Sequence, residues 1–178
     1  EAQAVAISPD GELLAIATTG LKPRIELYDI LGVPTLKWQI TFSATSGGAV
    51  EVAFSSDGKF VVALLGNGRT HRFDARGGGS HMAIPSQGTV ATAVPPGRTV
   101  AVAGEGGEIT LWRLFDGTID WRVAPRGYRK EVDSIAVSGD GKRIAALEFG
   151  QSETVIRIWV VHGKRALAKL SLVGRDFR

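Results

Sequence analysis

The chain has no cysteine, which excludes disulfides, thiolate nucleophiles and every cysteine-based metal site. That absence is compatible with a reducing compartment such as the cytoplasm. No run approaches the roughly 18 apolar residues that a membrane-spanning helix needs. The chain opens Glu1-Ala2-Gln3, with neither an initiator Met nor a basic stretch leading into an apolar one. It therefore reads as a fragment or a processed product without a signal sequence. Histidine is scarce: His71, His81 and His162 are the only three, and none has a second histidine at metal-ligand spacing. There is no His-Glu-x-x-His motif and no acidic loop of the Ca²⁺-binding type. No metal, no cofactor and no catalytic residue is expected, and each histidine is expected on an exposed strand or turn.

What is present is ordinary for a globular protein. Of 178 residues, 44% are hydrophobic and 22% charged, the usual proportions of a chain that buries a core. Length alone suggests one domain or two. The formal net charge of +3 is unevenly spread, with a mildly acidic first part and a mildly basic last part.

The organising feature is an internal repeat. Four apolar, alternating segments run into polar turns: Val5 to Gly11, Val52 to Gly58, Thr92 to Gly97 and Ile135 to Gly141. The turn glycines stand 47, 39 and 44 residues apart, which brackets the period of a four-stranded propeller blade. Ser8-Pro9-Asp10-Gly11, Ser55-Ser56-Asp57-Gly58 and Ser138-Gly139-Asp140-Gly141 combine a capping carboxylate with a glycine that accepts positive φ. A second strand rich in small residues follows each turn, from Leu13, Phe60, Thr99 and Arg143. A third strand then places Tyr28, Phe73, Trp112 and Trp159 at matching positions, with period-2 alternation around them. Fourth strands are expected over Leu36 to Phe42, Ser80 to Ser86, Ile119 to Ala124 and Ala166 to Leu172. Trp38, Met82 and Trp121 stand in register in the first three of these. No amphipathic helix is visible, and turn signals every 8–12 residues mark an all-β protein. One such sheet cannot cover its own faces, so the units must stack.

On the Ser-Pro-Asp-Gly-type turn and the third-strand aromatic, the chain resembles WD-repeat proteins over essentially its whole length. Tyr28-Asp29 and Phe73-Asp74 resemble the Trp-Asp pair of that family, whereas Trp112-Arg113 and Trp159-Val160 keep only the aromatic. The family's Gly-His pair and its Asp between the second and third strands have no counterpart here, so the repeats are degenerate and are expected to rely on apolar packing. The resemblance implies a β-propeller of four consecutive four-stranded antiparallel blades, at about 1–46, 47–88, 89–130 and 131–178, without a separate second domain. The phase leaves no strand exchanged between the termini. A larger or multi-chain ring is therefore expected, with additional blades from another chain or from a second copy.

Other candidate features weigh less. Gly77-Gly78-Gly79-Ser80-His81-Met82 reads either as a native turn between the third and fourth strands or as a linker and tag scar. Gly104-Glu105-Gly106-Gly107 lacks the strand-loop-helix context of a phosphate loop and reads as a hairpin turn. Ser80 beside His81 lacks a nucleophile elbow. Asp10, Asp57 and Asp140 recur because the turn needs them, which makes them poor acid-base candidates. One cluster points to a partner: Arg122, Arg126, Tyr128, Arg129 and Lys130, between the third and fourth repeats. Interleaved Arg and Tyr are enriched in protein interfaces, although a solvated basic loop explains them equally well. A nucleic-acid footprint would need a stronger positive field, so a protein partner is expected instead. The expected function is a non-catalytic protein-interaction scaffold. The alternatives are a propeller enzyme with a central-channel site, or a permuted fragment without a function of its own.

Overall fold

The computed structural model describes residues 1–79, 81–94, 97–104, 106–124, 131–149, 154–163 and 166–172. Sixteen strands form four sheets of four, and the only helical turn among the described residues is a short 3-10 turn at Ala44–Ser46. Blade one holds β1 (Ala2–Ile7), β2 (Leu13–Thr18), β3 (Arg24–Asp29) and β4 (Thr35–Thr41). Blade two holds β5 (Ala49–Phe54), β6 (Phe60–Leu65), β7 (Thr70–Asp74) and β8 (Met82–Ile84). Blade three holds β9 (Gly88–Val94), β10 (Thr99–Gly104), β11 (Ile109–Arg113) and β12 (Ile119–Val123). Blade four holds β13 (Glu131–Val137), β14 (Arg143–Phe149), β15 (Thr154–Val160) and β16 (Ala166–Leu172). Within each sheet the spatial order is the chain order, every pairing is antiparallel, and no strand crosses to another sheet. One strand is shorter than its repeat suggests: β8 stops at Ile84, because Pro85 has no N–H to continue the ladder.

The first turn of each blade is built alike. Gly11, Gly58, Gly97 and Gly141 all lie at positive φ, between 69° and 103°, and each N–H returns to the carbonyl three residues earlier at 2.8–2.9 Å. In blades one, two and four a serine hydroxyl donates to the turn aspartate, at 2.5, 2.7 and 2.6 Å for Ser8–Asp10, Ser55–Asp57 and Ser138–Asp140. The same hydroxyl accepts the N–H of the residue that opens or leads into the second strand: Leu13, Phe60 and Arg143. Each serine thereby satisfies one donor and one acceptor that would otherwise stay unpaired at a strand end. Blade three has Val94 in place of the serine, and the Gly97 N–H closes its turn on the Val94 carbonyl at 2.9 Å.

Alternation then sorts the side chains onto two faces. The front of each blade, toward the next, carries the residues in register with Ala15, and the back carries those in register with Ile16. Fronts pack on backs in series. Ala15, Ala17, Ile25 and Leu27 of blade one meet Val61, Ala63 and Phe73 of blade two. Val62, Leu64 and Ile84 of blade two meet Val100, Val102 and Trp112 of blade three. Ala101, Ile109, Leu111 and Trp121 of blade three meet Ile135, Ile144, Ala146 and Trp159 of blade four. In the first and third seams alanines on one blade admit large side chains on the other. Trp112 and Trp159 are 7% and 2% exposed, and burial of a large apolar side chain contributes about 1.5–3 kcal/mol.

The inner strands β1, β5, β9 and β13 follow one another around an axis, each packed against the next. β13 has no such packing against β1. The molecule is an open arc of four propeller blades.

Candidate interaction surface

Strands alternate in direction, so the first–second and third–fourth turns of every blade emerge on the same rim. Two clefts open there. The one between blades one and two, about 560 Å³, is lined by Asp10, Asp29, Asp57 and Asp74 among others, with Lys37 and Lys59 interspersed. Each of those four carboxylates is engaged in its own turn. Asp10 and Asp57 accept serine hydroxyls, while Asp29 and Asp74 accept the N–H of Leu31 at 3.1 Å and of Arg76 at 2.8 Å. Hydrogen bonds from Ser8 and the Glu12 backbone hold the Asp10 carboxyl below its ordinary range, and Ser138 and the Lys142 backbone do the same for Asp140. All are acceptors with a structural task, and among the described residues no group of three or more histidine or acidic side chains converges to hold a metal.

The cleft between blades two and three differs in character. About 650 Å³ in volume, it is floored by Phe60 and Leu114 and lipped by Phe115, with Arg98, Arg113 and Asp116 around it. Phe115 is 83% exposed in a turn, between the buried Leu114 and Asp116. Its surroundings are fixed. The Arg113 guanidinium donates twice to Asp120, at 2.9 and 2.7 Å. Arg72 lies 4.6 Å over the Phe60 ring and donates to the Leu114 carbonyl at 3.0 Å. The cleft therefore pairs a rigid apolar floor with a charged margin, the composition of an interface core and its rim. Composition had not singled out Phe115. The available signal was an aromatic directly before the polar run Asp116-Gly117-Thr118.

Of the cationic cluster expected to meet a partner, only Arg122 is placed. It is exposed, yet it is tied to its own sheet: its Nε donates to Thr110 Oγ1 at 3.3 Å, and its guanidinium lies 3.6 Å from Glu108. Its charge is paired within blade three. Arg126, Tyr128, Arg129 and Lys130 lie outside the described residues.

The histidines correct one expectation. His81 and His162 are exposed, but His71 is only partly so. It stacks on His81 with ring centroids 4.7 Å apart, and His71 Nδ1 meets His81 Nε2. Phe42 and Phe73 flank the pair. β7 and β8 pair His71 with Ala83, so His81 is its diagonal cross-strand neighbour, within reach of a ring. Burial, with the charges of His81 and Arg69, lowers the His71 pKa from 6.5 to about 4. The imidazole is neutral at physiological pH.

The glycine run before His81 is built into the seam. Gly78 has φ +65°, and a Cβ there would lie 2.8 Å from the Trp38 ring. Its N–H closes the third–fourth turn on the Asp74 carbonyl at 2.9 Å. No protein-family model matches this chain, and no curated protein matches it.

Proposed function

We propose that this chain is a non-catalytic protein-interaction scaffold made of WD-like repeats, which receives a segment of a protein partner in the rim cleft between blades two and three. The observation that carries the reading is Phe115: a large aromatic held in solvent beside a rigid apolar floor loses free energy unless something covers it. Arg98, Arg113 and Asp116 offer directional polar contacts around it, which suits an apolar anchor residue flanked by charges. The WD-like assignment draws support from the repeated serine–aspartate turn and from Asp29 and Asp74, which follow the third-strand aromatic and cap the next turn. The segment with Arg126, Tyr128, Arg129 and Lys130 would supply a second contact for an acidic surface.

Affinity capture from the native source tests this. Phe115→Ser should leave folding and melting unchanged, because the side chain supports nothing, and should lose the captured protein. Capture that survives Phe115→Ser, or turnover in a broad hydrolase screen, would contradict the reading. Reversal of Arg126, Arg129 and Lys130 to Glu separates the second contact. If it binds, association slows and its salt dependence falls; unchanged capture assigns that loop to solvent.

A further inference from the structure

We infer that His71 and His81 form a two-imidazole site for one divalent transition-metal ion of the Zn²⁺, Ni²⁺ and Cu²⁺ class, which ties the third strand of blade two to the entry of its fourth. The site lies within one blade, involves neither end of the arc, and is independent of the rim cleft.

The two residues stand ten positions apart, a spacing that carries no ligand signature in the sequence. Register brings them together. β7 pairs His71 with Ala83 and Arg72 with Met82, and β8 begins one residue after His81. His71 Nδ1 faces His81 Nε2, with the ring planes 13° apart and the centroids 4.7 Å apart. One nitrogen from each strand thus converges on the same point. Neither ring has another hydrogen-bond partner among the described residues.

A neutral imidazole offers a lone pair from whichever nitrogen does not carry its proton. With the protons on His71 Nε2 and His81 Nδ1, both facing nitrogens present lone pairs, and these repel. A cation between them converts the repulsion into two bonds. Burial and the charge of His81 hold the His71 pKa at about 4, so an ion displaces no proton from His71 at physiological pH. Imidazole suits zinc, nickel and copper, whereas magnesium and calcium take oxygen ligands. Zn–N bonds of about 2.0–2.1 Å set neighbouring ligand nitrogens about 3 Å apart. Rotation of the His81 ring supplies that separation, because His81 is exposed and precedes the β8 ladder. Water completes the coordination.

The surroundings hold one ligand and leave the other accessible. Phe42 meets His71 edge-on at 6.0 Å, and Phe73, fully buried in the first seam, stacks with His81 at 5.2 Å. Arg69 is the neighbouring cation, and its exposure lets water and salt screen it from a bound ion. His162 provides the contrast. It lies 3.6 Å from Asp120, a carboxylate already held twice by Arg113, and no second imidazole faces it.

Titration of the 178-residue chain with Zn²⁺, read by nitrogen–proton correlation spectra of the imidazole rings, tests this. Only three histidines contribute, and single variants assign them. One equivalent of Zn²⁺ should shift the His71 Nδ1 and His81 Nε2 signals together and leave those of His162 in place. Calorimetry should show the affinity falling by about tenfold or more in His81→Ala, and remaining that of the parent in His162→Ala. His81→Ala alters an exposed side chain, so it should fold, as circular dichroism verifies. Excess Zn²⁺ should raise the melting temperature of the parent chain and not that of His81→Ala. A shift confined to one histidine, equal shifts of all three, or an affinity unchanged in His81→Ala would mark an adventitious ion only and overturn the inference. So would an increase in molecular mass on adding Zn²⁺, which places the two imidazoles on different chains.

Discussion

The indole N–H of Trp38 donates to the main-chain carbonyl of Ala75 at 3.2 Å, across the seam between blades one and two. Trp121 repeats the contact one seam further on but one, reaching the Gly163 carbonyl of blade four at 3.1 Å. Between blades two and three Arg72 donates to the Leu114 carbonyl at 3.0 Å, and Glu51 accepts the Ala91 N–H at 2.8 Å. Burial raises the Glu51 pKa against that hydrogen bond, which lowers it. Each seam therefore combines non-directional apolar packing with a directional bond that fixes how one blade sits on the next.

Trp38→Phe should keep most of the packing and lose the bond, at a cost of about 1 kcal/mol. Trp159→Ala removes a fully packed aromatic from the third seam and should cost about 3–5 kcal/mol. Urea midpoints of the two variants, measured together, check the ratio. Equal costs would mean that the seams are not packed as described.

Glu148 is completely buried, and among the described residues its partner is Arg157, whose Nε donates at 2.9 Å. Arg157→Met strands a buried carboxylate and should destabilise by about 3–5 kcal/mol. The double variant Arg157→Met with Glu148→Met should recover most of that loss, since it removes both charges from the interior. Thermal melts of both variants read this directly, and a double variant no better than the single one would contradict it.

His71 predicts an acid limit. The unfolded chain takes up a proton near pH 6.5 that the folded imidazole refuses until about pH 4. Stability is therefore complete above about pH 6.5 and declines as the pH falls through that window toward 4. His71→Phe should flatten this part of the profile while leaving the midpoint at pH 8 little changed. A midpoint that is constant between pH 7 and 4 in the parent chain would be inconsistent with a shielded His71.

Much of this architecture was legible in advance, and the reason is periodicity. Alternation in Ile25-Glu26-Leu27-Tyr28, the small residues of the second strands and the Asp-Gly turns are local properties, and they place strands and bends without any knowledge of neighbours. What escaped depends on register. His71–His81 and Glu148–Arg157 are both diagonal cross-strand pairs, set by which residue stands opposite Ala83 or Ala146. The Arg122 pairing with Glu108 depends on the β11–β12 alignment in the same way. Phe115 was missed for another reason, since a lone aromatic in a polar turn carries no pattern. The cationic segment from Arg126 to Lys130 is read from composition alone.

In the open arc the back of blade one and the front of blade four stand apart. Because the chain has no native cysteine, Ile7→Cys and Phe149→Cys introduce two unique label sites, on side chains 62% and 48% exposed. Doubly spin-labelled chain, diluted in unlabelled chain so that only intrachain pairs contribute, reports the separation by pulsed dipolar spectroscopy. The open arc predicts a distance well beyond the roughly 10 Å between packed sheets, even after allowance for the label linkers. A narrow distribution at about that spacing would show the two faces meeting within one chain, a closed four-bladed ring, and would contradict the account.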